Sequence, residues 1–141
     1  MKILSMLLLT IFLGKGCADE QQIKTAEVEY TANTRGFYQH ITIKNQSMAV
    51  SRDRNDKQGK TTKIADADWK VLVAEFGKLK LDDFPNLKAP TEKRFYDGAA
   101  MADLKVTYEG ETYQSTVFDH GTPPAEIAAF VNHLVAIAEK K

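Results

Sequence analysis

A single cysteine, Cys17, closes an apolar N-terminal segment, and no other thiol exists anywhere in the 141 residues. Everything after it must therefore fold without an internal disulfide and without a cysteine-based metal site, on a hydrophobic core alone. Beyond Cys17 lie about 125 residues, enough for one domain that buries about two-thirds of its unfolded surface.

The segment ending at Cys17 has the parts of an export signal. Lys2 supplies a short positive region, Ile3 to Leu13 is almost unbroken apolar sequence, and Gly14 and Gly16 put small residues just before the cysteine. The run is too short to span a bilayer comfortably. An ordinary secretory signal would leave Cys17 as an odd free thiol, whereas lipidation accounts for it. The match resembles the lipobox of proteins cut by the lipoprotein signal peptidase, with Leu13 one place farther from the cysteine than usual and Lys15 inserted before Gly16. The resemblance implies a signal peptide at 1–16, a lipidated Cys17 carrying acyl chains such as palmitate, and a tether over 17–24. Acyl chains bury methylenes at ~0.8 kcal/mol apiece and together hold a domain on a membrane. Asp19 and Glu20, just after the cysteine, resemble the export signals of surface lipoproteins in the Bacteroidota. The expected location is the bacterial cell envelope, at the outer membrane facing the periplasm or the cell surface.

Charge narrows the partner classes. The chain carries 19 basic and 19 acidic side chains, and loss of Lys2 and Lys15 with the leader leaves a slight acidic excess. That balance argues against nucleic-acid binding, which relies on a basic face to neutralise phosphates.

Periodicity predicts an α+β domain over 25–141, with an antiparallel sheet of about five strands and two main helices packed on one face. Ala26, Val28, Tyr30 and Ala32 alternate with polar residues as a half-wet strand does, and after a turn at Arg35-Gly36 so do Gln39, Ile41 and Ile43. Met48, Val50 and Arg52 extend the pattern, Asp53 to Lys60 reads as a polar loop, and Thr61 to Ile64 as a strand returning from it. From Asp66 the spacing of Trp69, Leu72, Val73, Phe76 and Leu79 becomes helical, with Asp66 or Asp68 as the cap. Pro85 and Pro90 keep the next segment, with Leu81, Phe84 and Leu87, from forming a long helix. Ala100 to Tyr108 alternates again and turns at Glu109-Gly110 into a strand over Thr112 to Asp119. Thr122-Pro123-Pro124 then reads as a helix start, with Ile127, Phe130, Val131, Leu134 and Ile137 as the buried stripe.

Two polar corners carry whatever chemistry the domain has: Arg94 to Gly98 before the Ala100 strand and Phe118 to Pro124 after the hairpin. An antiparallel pair brings its two ends together, so Asp97, Asp119 and His120 are expected to be neighbours, and Asp with His can serve acid-base chemistry or ligate a metal. The competing structural reading has Asp97-Gly98 as a turn, Asp119 accepting amides around Gly121, and His120 satisfying the helix start. His133 falls on the flank of the last helix, His40 on the wet face of its strand, and Trp69 on the core stripe. Beside the corners stand Arg35, Phe37 and Tyr38, and Arg94, Phe95 and Tyr96, the arginine and aromatic types that protein interfaces favour. These nine residues form the expected binding surface: Arg35, Phe37 and Tyr38; Arg94, Phe95, Tyr96 and Asp97; Asp119 and His120. No cofactor or catalytic residue is assigned. The readings open at this point are a non-enzymatic binding module engaging a protein partner, a small envelope hydrolase or metal-binding protein using Asp97, Asp119 and His120, and a structural envelope lipoprotein.

Two resemblances bear on that choice. The cysteine, acidic tether and small domain are similar to short Bacteroidota lipoproteins. Arg-Gly-Phe between early strands, a Trp/Leu/Phe helix ending near Phe84, an Asp-containing turn, a hairpin and a final amphipathic helix resemble the emfourin type of small metalloprotease inhibitor, whose Gly-Gly-Phe signature is represented here by Gly36-Phe37. The second resemblance implies an inhibitory or immunity-like role and assigns no inhibitory residue.

Overall fold

A computed structural model describes residues 23–56 and 58–141. The leader 1–16, Cys17 and the tether as far as Gln22 lie outside the described residues. Ile23 belongs to the core, fully buried on a stretch of helical backbone, so the packed domain reaches two residues further toward the N-terminus than the sequence pattern places it.

Among the described residues seven strands build one antiparallel sheet, rather than about five. They are β1 (Glu27–Thr34), β2 (Phe37–Lys44), β3 (Ser47–Ser51), β4 (Lys60–Lys63), β5 (Met101–Tyr108), β6 (Glu111–Gln114) and β7 (Phe118–Asp119). The order across the sheet is β4-β3-β2-β1-β5-β6, with β7 pairing β5 beyond β6. Two-residue connections set the register of three hairpins; Asn45-Gln46 and Glu109-Gly110 all take positive φ, the geometry that matches the twist of the strands they join.

The strand expected over Thr112 to Asp119 is broken, and the break has a single cause. Gln114 pairs with Lys105 but Phe118 pairs with Ala102, so the chain carries one residue more than β5 does across that interval. This is a β-bulge, and it inverts which side chains face inward. Ser115 pins it, its Oγ accepting the Leu104 amide at 2.9 Å while its own amide donates to the Leu104 carbonyl at 2.8 Å. Phe118 is consequently fully buried and Val117 exposed.

Two α-helices, α1 (Asp66–Gly77) and α2 (Ala128–Glu139), cover one face of the sheet. Val28, Tyr30, Ile41, Ile43, Leu104 and Val106 from the strands join Trp69, Leu72 and Phe76 of α1 and Phe130, Val131, Leu134 and Ile137 of α2 in one core. His133 stands between the helices, its ring nitrogens 3.4 Å from Asp68 and 3.3 Å from Glu75. The first helix starts at Asp66 as the spacing implies but without the expected cap, and the second starts later than the sequence implies. Ala65 occupies the N-cap of α1 without a side-chain bond, because the Asp66 carboxylate accepts from Gln46 Nε2 at 2.7 Å and ties the helix start to the β2–β3 turn. Thr122 is engaged through its amide with the Asp119 carbonyl at 2.9 Å, Pro123 and Pro124 follow as irregular chain, and α2 begins only after the turn over 125–127, where the Ile127 amide meets the Pro124 carbonyl at 3.1 Å. The wet face of the sheet is laced by Glu29, which meets His40 at 3.3 Å and Lys105 at 3.0 Å.

The bulge makes a direct prediction. Phe118→Ala should lower unfolding free energy by about 3–5 kcal/mol, while Val117→Ala should change it by less than about 0.5 kcal/mol, as read by chemical denaturation. An unbulged strand would give the reverse order.

Candidate functional site

The two corners meet where the sheet ends at the β1–β2 turn. Asp119 closes β7 and is 1% exposed. Its Oδ2 accepts from Thr91 Oγ1 at 2.5 Å and the Lys93 amide at 2.8 Å, and its Oδ1 accepts from the Arg94 amide at 3.0 Å and Arg94 Nη1 at 3.1 Å. The Lys93 and Arg94 amides open a short 3-10 helix, Lys93–Tyr96, whose own N-cap residue Glu92 makes no side-chain bond. Asp119 thus supplies that cap from a distant part of the chain. Burial pushes the Asp119 carboxyl up, but the bonds from Thr91, Lys93 and Arg94 outweigh it and hold it at about 2. A permanent anion is buried here, with its charge met by a guanidinium whose side chain is 10% exposed.

Arg94 also donates to the Thr91 carbonyl at 2.8 Å and lies over the Phe95 ring, 4.5 Å from its centroid. Phe95 and Tyr96 themselves are 71% and 72% exposed. Behind them Asp97 adopts left-handed backbone, φ 60°, and the Gly98 amide returns to the Lys93 carbonyl at 2.8 Å. A Cβ on Gly98 would stand 3.0 Å from the Tyr96 ring and 3.2 Å from Lys93, so glycine lets the turn close tightly.

His120 projects to the other side of the same strand. Its amide bonds to the Ala100 carbonyl at 2.9 Å, its Nδ1 lies 2.6 Å from the Tyr30 hydroxyl, and its ring packs 5.1 Å from Phe37. Burial lowers the His120 pKa, with Glu139 opposing weakly, so the imidazole is held neutral; burial and then the Asp103 charge raise that of Tyr30. Arg54 closes the neighbouring turn, donating to the carbonyls of Thr34 and Phe37 and lying 5.5 Å from the Tyr38 ring centroid.

Of the expected surface, Phe37 packs on His120 and Arg94 bridges the Asp119 carboxylate to the Phe95 ring, two groups joined through the Asp119-His120 backbone; Asp119 itself is buried, while Arg35 is exposed on the adjoining turn and Tyr96 on the 3-10 helix. The acid-base constellation does not form. Asp119 and His120 face opposite ways, the carboxylate held by Thr91, Lys93 and Arg94 and the imidazole Nδ1 against the Tyr30 hydroxyl, and Asp97 contributes its backbone conformation at an exposed site. The structural readings change as well: Asp119 caps the 91–94 segment instead of the Gly121 turn, and His120 binds Tyr30 instead of the helix start. Among the described residues no group of three or more His, Cys, Asp or Glu side chains is placed to hold a metal, and no helix is long and apolar enough to cross a membrane. Sequence reasoning missed Thr91, Tyr30 and Arg54. Thr91 and Arg54 lie in polar loops that show no periodicity, and Tyr30 reads as core. Comparison with protein-family models, curated proteins and solved structures finds no match for this chain.

The geometry fixes two outcomes. Asp119→Ala should cost about 3–5 kcal/mol in chemical denaturation, because it strands Arg94 and two amides, whereas Asp97→Ala should cost about 1 kcal/mol through its left-handed backbone. Stability should also fall on acidification in two stages. The depressed His120 pKa gives a contribution complete above pH 6.5 and lost below it, and Asp119, shifted from 3.8 to about 2, adds about 2 kcal/mol that disappears between those values. His120→Gln should remove only the upper stage of a denaturation-versus-pH profile.

Proposed function

We propose that this protein is a lipid-anchored, non-enzymatic binding module of the bacterial cell envelope, held at the outer membrane through Cys17 and engaging a protein partner through the Phe95-Tyr96 corner. The observation that carries the reading is the pairing of exposure with rigidity. Two large aromatic rings, 71% and 72% exposed, sit on a 3-10 helix whose first amides are fixed by a buried carboxylate. Aromatic side chains anchor protein interfaces, and an anchor already ordered in the free protein avoids the entropic cost of being fixed on binding. Arg35 and Phe37 extend the same end of the domain. A hydrolase or toxin that the module blocks is the partner class we favour, in keeping with the emfourin resemblance. Blocking needs no nucleophile or general base, and Asp119, with its lone pairs engaged, supplies neither.

Affinity capture of the tagged full chain from its native membranes tests the proposal. The wild type should retain one partner in stoichiometric amount. Phe95→Ala/Tyr96→Ala should weaken it by at least about 30-fold, or ~2 kcal/mol, with an unchanged denaturation midpoint. Equal retention by the double variant would rule out this corner as the contact, and absence of a partner would favour a structural lipoprotein. Metabolic labelling with a clickable fatty acid tests the anchor separately, since Cys17→Ala should abolish a label that the wild type carries.

A further inference from the structure

The opposite end of β5 holds a second, chemically different site. A cleft of about 460 Å³ opens between the end of α1, the 3-10 helix Leu81–Asn86 and the β5–β6 hairpin. Its apolar lining comes from Phe76, Leu79 and Leu81, and its aromatic walls from Tyr108 and Tyr113. Asp82 and Asp83, both exposed, form the rim. The acidity does not end with them. Tyr113 donates its hydroxyl to Glu111 Oε2 at 2.9 Å, and that hydrogen bond, followed by desolvation and the charges of Glu111, Asp82 and Glu109, raises the phenol pKa. Lys80 is the cation in the lining, set against four carboxylates around one pair of tyrosines.

We propose that this cleft binds the side chain of a lysine presented by a partner protein. An apolar floor with an acidic rim is the complement of a lysine, which lays its methylenes along apolar surface and keeps its ammonium among oxygens. Tyrosine rings add attraction for a cation over their faces. An apolar side chain would desolvate the carboxylates without pairing them, and an acidic one would be repelled. The volume lies within the range of small-ligand clefts. The site is independent of the Phe95-Tyr96 corner: Met101 and Tyr108 are separated by the length of β5, roughly 24 Å at ~3.4 Å per residue.

The test uses the full chain with 13C-labelled tyrosine and follows the ring signals of Tyr108 and Tyr113. The probes are Nα-acetyl-lysine methylamide and its uncharged isostere Nα-acetyl-norleucine methylamide. The lysine probe should give a saturable shift at millimolar concentration and the norleucine probe none. Asp82→Asn/Asp83→Asn should raise the midpoint at least about tenfold, and Lys80→Gln should lower it about two- to fivefold by removing a competing charge. Phe95→Ala/Tyr96→Ala should bind the probe as the wild type does, whatever its effect on partner capture. Saturation by norleucine as readily as by lysine, an unchanged midpoint in the double aspartate variant with an unchanged denaturation midpoint, or no saturation by lysine up to about 50 mM would each overturn the proposal.

Discussion

A buried carboxylate organises the aromatic end of this domain. An ion as enclosed as Asp119 is costly to hold unless its lone pairs are filled and an opposite charge stands close by. Here two backbone amides, a hydroxyl and a guanidinium meet both conditions. In doing so they bind an irregular segment, 91–98, to the edge of the sheet, a segment with a 3-10 turn and a left-handed residue but no buried side chain in its turn to hold it. Charge does there what hydrophobic burial does elsewhere. The exposed aromatics are then free to remain exposed, since their fixation does not depend on packing them inward.

That anchor depends in turn on the bulge at Ser115. In the register that β6 keeps with β5, Phe118 would lie on the wet face and Asp119 would point at the core. One additional residue exchanges them, putting the phenylalanine against Tyr30 and the carboxylate against the 91–94 backbone. His120 lies on the core side, where Tyr30 and Phe37 receive it. The hydrophobic effect and the ionic anchor thus require the same local defect, which explains how a short two-residue strand holds its place without a long ladder.

The sequence made the regular parts legible and the irregular ones obscure, for physical reasons. Alternation along Val28-Tyr30-Ala32 and Ala102-Leu104-Val106, and the helical spacing of Phe130, Val131, Leu134 and Ile137, record burial on one face, and burial is a local pattern. The arginine and aromatic residues of both corners were visible by composition, and hairpin logic brought their segments together. The bulge leaves no such trace, because Thr112 to Asp119 reads as one unbroken strand until the pairing partner is known. Asp119's donors lie 25 to 28 residues away, so its role was invisible locally. Thr122-Pro123-Pro124 misled for a related reason: its local chemistry suits a helix start, but the Thr122 amide answers to Asp119 instead.

The two ends of the central strands are chemically unlike, and the chain's direction gives that difference a consequence. β1 begins at Glu27, paired with Thr107 next to the acidic hairpin, and ends at Thr34 beside the aromatic corner. With the anchor proposed at Cys17, a tether would enter the sheet at the Glu27 end of β1, and the rigid aromatic corner, at the Thr34 end, would stand away from it, where a partner can approach without competing with the membrane surface.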